Sequence, residues 1–356
     1  MASREAAEEW LAALTNIPTA SGLEGEVVAW VRRWVEARPG LTVDEDSGGN
    51  LLIGQQRDTT RPPVLAVAHM DHPAFVVTAD DGSFEFRGGV NAPYFDRALV
   101  DVVSRPDGPS GTVTGYDPET RQGSITFLGA VAPGDIAMWR FGVDAQSDGS
   151  FRGPACDDLA GVAAALAALD RVRGQDDLAH FGVLLTRSEE VGLIGAIHAA
   201  KHQTAPPDAR IISIETSREL PTAKLGDGPI LRIGDRSTVF DAGLSNRVAR
   251  VAESAGITHL RKLMDGGACE ATAFGAYGYQ ATGLCLALRN WHNRGNLDEV
   301  EAGDDTAAVA MLEEISLDDF HGLVDLLVMA AQAVDTPDSL TASLDELYES
   351  NLRYLG

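Results

Sequence analysis

Apolar residues recur at helical spacing near the start of the chain, with Trp10, Leu11 and Leu14 on one face of residues 3–16 and Ile17 just beyond. Ser21-Gly22-Leu23-Glu24 has the spacing of a capping box and predicts a helix whose apolar stripe is Val27, Val28, Trp30, Val31 and Val35. Residues 41–46 and 50–55 read as a strand pair across Ser47-Gly48-Gly49. Residues 63–68 are apolar without interruption, the mark of a strand buried on both faces, and they deliver His69 and Asp71 at their C-terminal end.

From Pro73 to Arg152 the texture changes: glycine, proline and aspartate punctuate short alternating runs, with strands predicted at 111–116, 123–128 and 135–141. A shift this long is better explained by an inserted all-β domain, residues 73–152, than by one loop. Beyond it, helices are predicted at 159–172 and 191–202, strands at 180–186, 209–214, 229–233 and 280–288, and a helix capped by Asp241. The acidic stretch 297–305 is expected to be exposed, and 317–334 and 339–354 to be helical. This rhythm predicts an α/β fold with a mixed, mostly parallel central sheet flanked by helices, built from residues 1–72 and 153–356.

No apolar run approaches the roughly 18 residues of a membrane span, so a soluble protein is expected. A net charge of −25 disfavours nucleic acid and anionic membrane as partners. The N-terminus has no basic stretch followed by an apolar one, which points to the cytoplasm. Cys156, Cys269 and Cys285 lack the number and spacing of a disulfide framework and fit a reducing compartment.

The candidate chemistry sits at strand ends, where open α/β sheets place their ligand crevice. His69, Asp157, Glu190, Glu215 and His292 are candidate ligands for two divalent metal ions, with Asp157 shared between them. His69, Asp157 and Glu215 would hold one ion; Asp157, Glu190 and His292 the other. Three anionic ligands and a bridging hydroxide then neutralise the two ions, as a low-dielectric cleft requires. Asp71 is near enough to accept the second N–H of the His69 ring. Glu189 and Glu190 are neighbours whose side chains splay apart, so that one can ligate while the other takes a proton from the attacking water. Each residue alone also has an ordinary reading: a hydrogen-bonded His69, a helix-capping Asp157-Asp158, Glu189-Glu190 as charge at a helix N-terminus, and a core His292. Their joint placement favours the metal reading.

The order of these segments resembles the co-catalytic metallo-aminopeptidases of the glutamyl-aminopeptidase, or cellulase-M, type. The likeness is carried by Ala68-His69-Met70-Asp71, Asp157-Asp158, Glu189-Glu190-Val191-Gly192-Leu193, Leu225-Gly226 with Gly228-Pro229, Gly266-Gly267 and His292. It implies a zinc-exopeptidase-like fold and removal of N-terminal residues from peptides, with a metal-bridged hydroxide as nucleophile. Glu189 would be general base, with Asp71 assisting, and His69, Asp157, Glu190, Glu215 and His292 would bind two metals, zinc first, with cobalt or manganese as alternatives. The resemblance further implies a cis peptide between Asp157 and Asp158, and self-association through the β domain, since the family forms tetrahedral dodecamers. The chain departs from the family pattern at His72, where glutamate is usual, at Glu215, where aspartate is usual, at Ala268-Cys269-Glu270, and at Asn293-Arg294, where Ser-Pro follows the histidine. A two-metal carboxypeptidase or amide deacylase, and a metal-less receptor or scaffold, are the alternative functions.

Overall fold

The computed structural model describes residues 2–56, 61–142, 149–264, 266–335 and 340–355. The first helices, α1 (Arg4–Thr15) and α2 (Gly25–Glu36), lead into strands β1 (Leu41–Glu45), β2 (Leu51–Gln55) and β3 (Val64–His69). The chain then forms β4 (Ala74–Val77), β5 (Ser83–Arg87), β6 (Leu99–Val102), β7 (Ser110–Asp117), β8 (Gln122–Phe127) and β9 (Ile136–Trp139), followed by β10 (Ser150–Gly153). Next come α3 (Cys156–Val172), β11 (Phe181–Thr186), α4 (Ile194–His202), β12 (Arg210–Arg218), β13 (Ile230–Asp235), α5 (Ala242–Ser254), β14 (Leu260–Met264), α6 (Glu270–Ala276) and β15 (Gln280–Leu288). The C-terminal part holds the short β16 (Arg294–Gly295), α7 (Leu297–Glu301), β17 (Val309–Ala310), β18 (Glu313–Ser316), α8 (Leu317–Ala333) and α9 (Leu340–Asn351). Ser339, where the last helix is predicted to begin, lies outside the described residues.

The main sheet runs β1-β2-β11-β3-β12-β15-β13-β14 and is mixed. Its centre, β11, β3, β12 and β15, is parallel, and it is apolar in sequence because helices cover both faces. On one face the alanine-rich α3 is buried almost throughout, and its small side chains let it lie close against the sheet with α1, α5 and α8 around it. On the other face α4 and α6 close a second cluster. Four neighbouring strand ends therefore open into the same crevice, which is what brings the candidate residues together.

Strands β4 to β9 close into an antiparallel barrel in the order β4-β5-β8-β7-β6-β9. Its core is aromatic, with Phe75, Phe84, Phe86, Phe95 and Trp139 in mutual edge contacts. Strand β10, at the end of the 73–152 segment, pairs with β18 and not with the barrel, and residues 143–148 lie outside the described ones. The acidic stretch 297–305, expected to be exposed, is only partly so. Its helix α7 buries Leu297 and Val300 against the barrel core, because apolar residues one turn apart give it an inward face. Among the described residues no helix is long and apolar enough to cross a membrane.

Candidate metal centre

His69 ends β3, where the parallel ladder stops, and is 1% exposed. Asp157 sits at the head of α3 in non-helical backbone, joined to Asp158 by a cis peptide. The Asp158 carboxylate folds back over Gly161, where a Cβ would lie 2.3 Å from its Oδ1, so that Asp157 alone of the pair faces the cavity. Glu189 and Glu190 occupy the turn after β11, which Ser188 enters with φ of 54° and Leu193 leaves with φ of 61°. Glu215 lies inside β12, not after it as the sequence pattern suggests, because β12 pairs with β15 continuously from Arg210 to Arg218. His292, with φ of 56°, is in the turn that follows β15.

These side chains converge. One ligand atom each from His69, Asp157 and Glu190 lies within 4.8 Å of the others. His69 Nε2 is 3.5 Å from Asp157 Oδ1, while His292 Nε2 is 3.4 Å from Asp157 Oδ2 and 3.2 Å from Glu190 Oε1. The two oxygens of Asp157 thus face different imidazoles. Glu215 is buried and lines the same cavity but is outside the tight group of three. Glu189 Oε2 stands 4.0 Å from His69 Nε2.

The donor set fits divalent metal. Two donors about 2.0 to 2.1 Å from a tetrahedral ion lie roughly 3.3 to 3.4 Å from each other, close to the spacings between these imidazoles and carboxylates. Asp157 Oδ1, Glu190 Oε1 and Glu215 Oε1 are buried and accept no hydrogen bond, which is costly for carboxylate oxygens without a cation nearby. The electrostatics point the same way. Burial, reinforced by Asp157, pushes Glu215 up to about 8. Burial and the neighbouring acids Glu215 and Glu190 push Glu189 well above the usual carboxylate range. Against the cost of burial, Glu190 and Asp157 raise His292 to about 10. The pocket concentrates negative charge that protons satisfy when no metal does.

Asp71 acts differently from the sequence expectation. His69 Nδ1 is 3.1 Å from the backbone carbonyl of Asp71 and 3.6 Å from its carboxylate, which has further partners. It accepts the backbone N–H groups of Glu189 and Glu190 at 2.9 and 3.1 Å and the Ser21 hydroxyl at 2.6 Å. The capping box read at Ser21–Glu24 is also redirected. Helix α2 starts at Gly25 without a side-chain cap, and Glu24 accepts from Arg187 Nε at 2.6 Å and from the Ser188 N–H at 3.1 Å. Both residues serve the turn that carries Glu189 and Glu190.

Two further residues touch the centre without having been singled out as functional in the sequence. Trp291 Nε1 donates to Asp157 Oδ2 at 2.8 Å, and the Arg294 guanidinium lies 4.5 Å from the Trp291 ring centroid. Glu313, fully buried in β18, accepts the backbone N–H groups of Asp157 and His292 at 3.0 and 2.8 Å. Adjacency to His292 was the available signal for Trp291. Glu313 follows an acidic stretch and had none.

The same architecture is found in solved structures of tetrahedral aminopeptidases. The TET1 peptidase of Pyrococcus horikoshii, which can assemble into a tetrahedron or a large octahedral shell, matches with a TM-score of 0.74 at 22% identity, over 92% of this chain and 99% of that one. A TET aminopeptidase from a marine-sediment thaumarchaeon matches with 0.75 at 22% identity, over 93% and 98%. An aminopeptidase from Desulfurococcus kamchatkensis matches with 0.74 at 22% identity, over 92% and 95%. No curated protein sequence matches the chain. The sequence profile of the M42 glutamyl aminopeptidase family matches residues 127–309, over half of the chain. The chain belongs to this family, and the protein is a peptidase of the aminopeptidase class.

Proposed function

We propose that the protein removes N-terminal residues from peptides with two divalent metal ions held by His69, Asp157, Glu190, Glu215 and His292. The observation that carries this reading is the Asp157 carboxylate, whose two oxygens meet His69 and His292 at 3.5 and 3.4 Å in a cavity of about 650 Å³. When bound, divalent metal supplies Lewis acidity at the scissile carbonyl and lowers the pKa of water to about 7. Glu189, facing the same cavity, takes the proton of the attacking water and delivers it to the departing amine. Asp71 holds the turn that aims Glu189, and Trp291 orients Asp157. Zinc suits this imidazole and carboxylate set, as do cobalt and manganese.

The cavity also holds the buried Arg232, 4% exposed, whose Nε has no hydrogen-bond partner while its other nitrogens donate to Ser217 and to the Met264 and Gly267 carbonyls, and Arg121 and Arg236 line the wall. This supports a preference for an acidic N-terminal side chain. The inserted domain expected at residues 73–152 is the barrel, from Ala74 to Trp139, which exposes Leu99 and Leu128 and promotes assembly into a homo-oligomer such as the shells the protein's relatives form. Three buried free cysteines suit a reducing compartment such as the cytoplasm. The carboxypeptidase, deacylase and metal-less readings are not favoured, given the family. Turnover of a peptide with a free N-terminus and of its acetylated form separates the first two from an aminopeptidase. Cleavage of the free peptide alone is expected; cleavage of both would reject the proposal.

A further inference from the structure

Asp157 and His292 come from different elements, and each sits in backbone that its own element does not secure: Asp157 precedes the regular part of α3, and His292 has a positive φ. Their peptide groups are instead tied to each other through side chains. The two oxygens of Glu313 accept the N–H groups of Asp157 and His292 at 3.0 and 2.8 Å. A second tie crosses the same gap. The His72 ring lies across it, with Nδ1 2.6 Å from the Asp157 carbonyl oxygen and Nε2 3.0 Å from Asn293 Oδ1, on the residue next to His292. Asn293 Nδ2 is turned away, donating to the carbonyls of Pro154 and Met311 at 2.9 and 3.3 Å, so that its oxygen is the atom facing His72. His72, Asn293 and Glu313 are at most 1% exposed.

We propose that His72, Asn293 and Glu313 are positioning residues that brace Asp157 against His292 and set how tightly the centre holds metal. The proposal rests on the reading of Asp157 and His292 as ligands. It also accounts for two separate departures from the family pattern, at 72 and 293, meeting in space.

The test is release of zinc from the zinc-loaded protein to a chromogenic chelator. His72→Phe and Asn293→Ala, each shown to be folded by its urea midpoint, should release zinc about 10- to 100-fold faster than wild type, the usual effect of losing a residue that orients a ligand. The double variant should release zinc no faster than the quicker single one, because both substitutions break the same tie. KM for a peptide reporter should stay within about threefold, and excess zinc should restore turnover. If His72→Phe does not fold, Asn293→Ala decides alone. Unchanged release in a folded single variant, or effects that multiply in the double, overturns the brace. Asp157→Ala and His292→Ala are the reference: if they lose zinc while the brace variants do not, only the brace fails, and if they retain it, the ligand reading fails.

Discussion

Replacing Asp71 with asparagine changes one oxygen to an amino group inside a site that is 0% exposed and full of donors. Oδ1 accepts from the Glu189 N–H and Oδ2 from the Glu190 N–H and the Ser21 hydroxyl. Whichever way the amide turns, its NH₂ faces a backbone N–H, so at least one bond is lost and one buried donor is left unpaired. A hydrogen bond to a charged group contributes about 1.5 to 3 kcal/mol and an orphaned buried donor costs about 1 to 3 kcal/mol, partly the same energy; a loss of about 2 to 4 kcal/mol is expected. His69 keeps its partner, the Asp71 backbone carbonyl. The damage should therefore fall on the turn carrying Glu189, and a base misplaced by about 1 Å costs about 10²-fold in turnover. Urea unfolding and steady-state kinetics of the metal-loaded variant measure both effects, with kcat expected to fall much more than KM rises. A variant within about 0.5 kcal/mol of wild type and with unchanged kcat would refute the role given to Asp71.

Glu189→Gln should retain its metal yet lose about 10²- to 10⁴-fold in turnover, the usual worth of a positioned base, whereas Glu190→Gln should bind metal more weakly and recover partly in excess metal. Elemental analysis and rates on both variants check this; the reverse pattern would exchange their roles. Burial lifts Glu215 to about 8 and both Glu270 and Glu313 to about 7, and Glu190 and Asp157, against burial, lift His292 to about 10, so the stripped folded protein binds more protons than the unfolded chain between about pH 4.5 and 10. Its stability should fall as pH rises through that window, and the gain in Tm on adding metal should be larger at pH 8 than at pH 5; a gain that shrinks with pH would contradict this. Arg232→Met should lower kcat/KM for an N-terminal glutamate reporter at least about tenfold more than for a leucine reporter, and equal losses would count against an acidic preference.

The parts of the fold legible in the sequence are those whose pattern reports burial on both faces. Residues 280–288 and the apolar run before His69 appear as strands where they were expected, because both runs are dominated by apolar residues, with Thr282 the one buried polar exception in the first. The barrel was visible as texture, but β4, β5 and β6 were not, being strands of four or five residues whose pairing depends on partners elsewhere. The Ser21–Glu24 pattern shows why local rules fail at a functional site. The same spacing that caps a helix here places a hydroxyl on Asp71 and a carboxylate on Arg187, and only the tertiary fold selects between them. The strand-end pattern singled out His69, Asp157, Glu190 and His292, whose side chains converge, and Glu215, which lies inside β12, whereas Glu313 and His72 contact the backbone of Asp157 and have no signature of their own.

Among the described residues Asp157 is the carboxylate within 4.0 Å of both His69 and His292, so the metal content of wild type and of Asp157→Ala tests the centre most directly. Both proteins should be purified in parallel, equilibrated with zinc, passed through a desalting column and measured by elemental analysis against subunit concentration. Wild type is expected to carry two ions per subunit, and Asp157→Ala to lose both with its activity while remaining folded. A wild-type protein that carries no zinc, or a variant that keeps both ions, would contradict the shared-carboxylate centre.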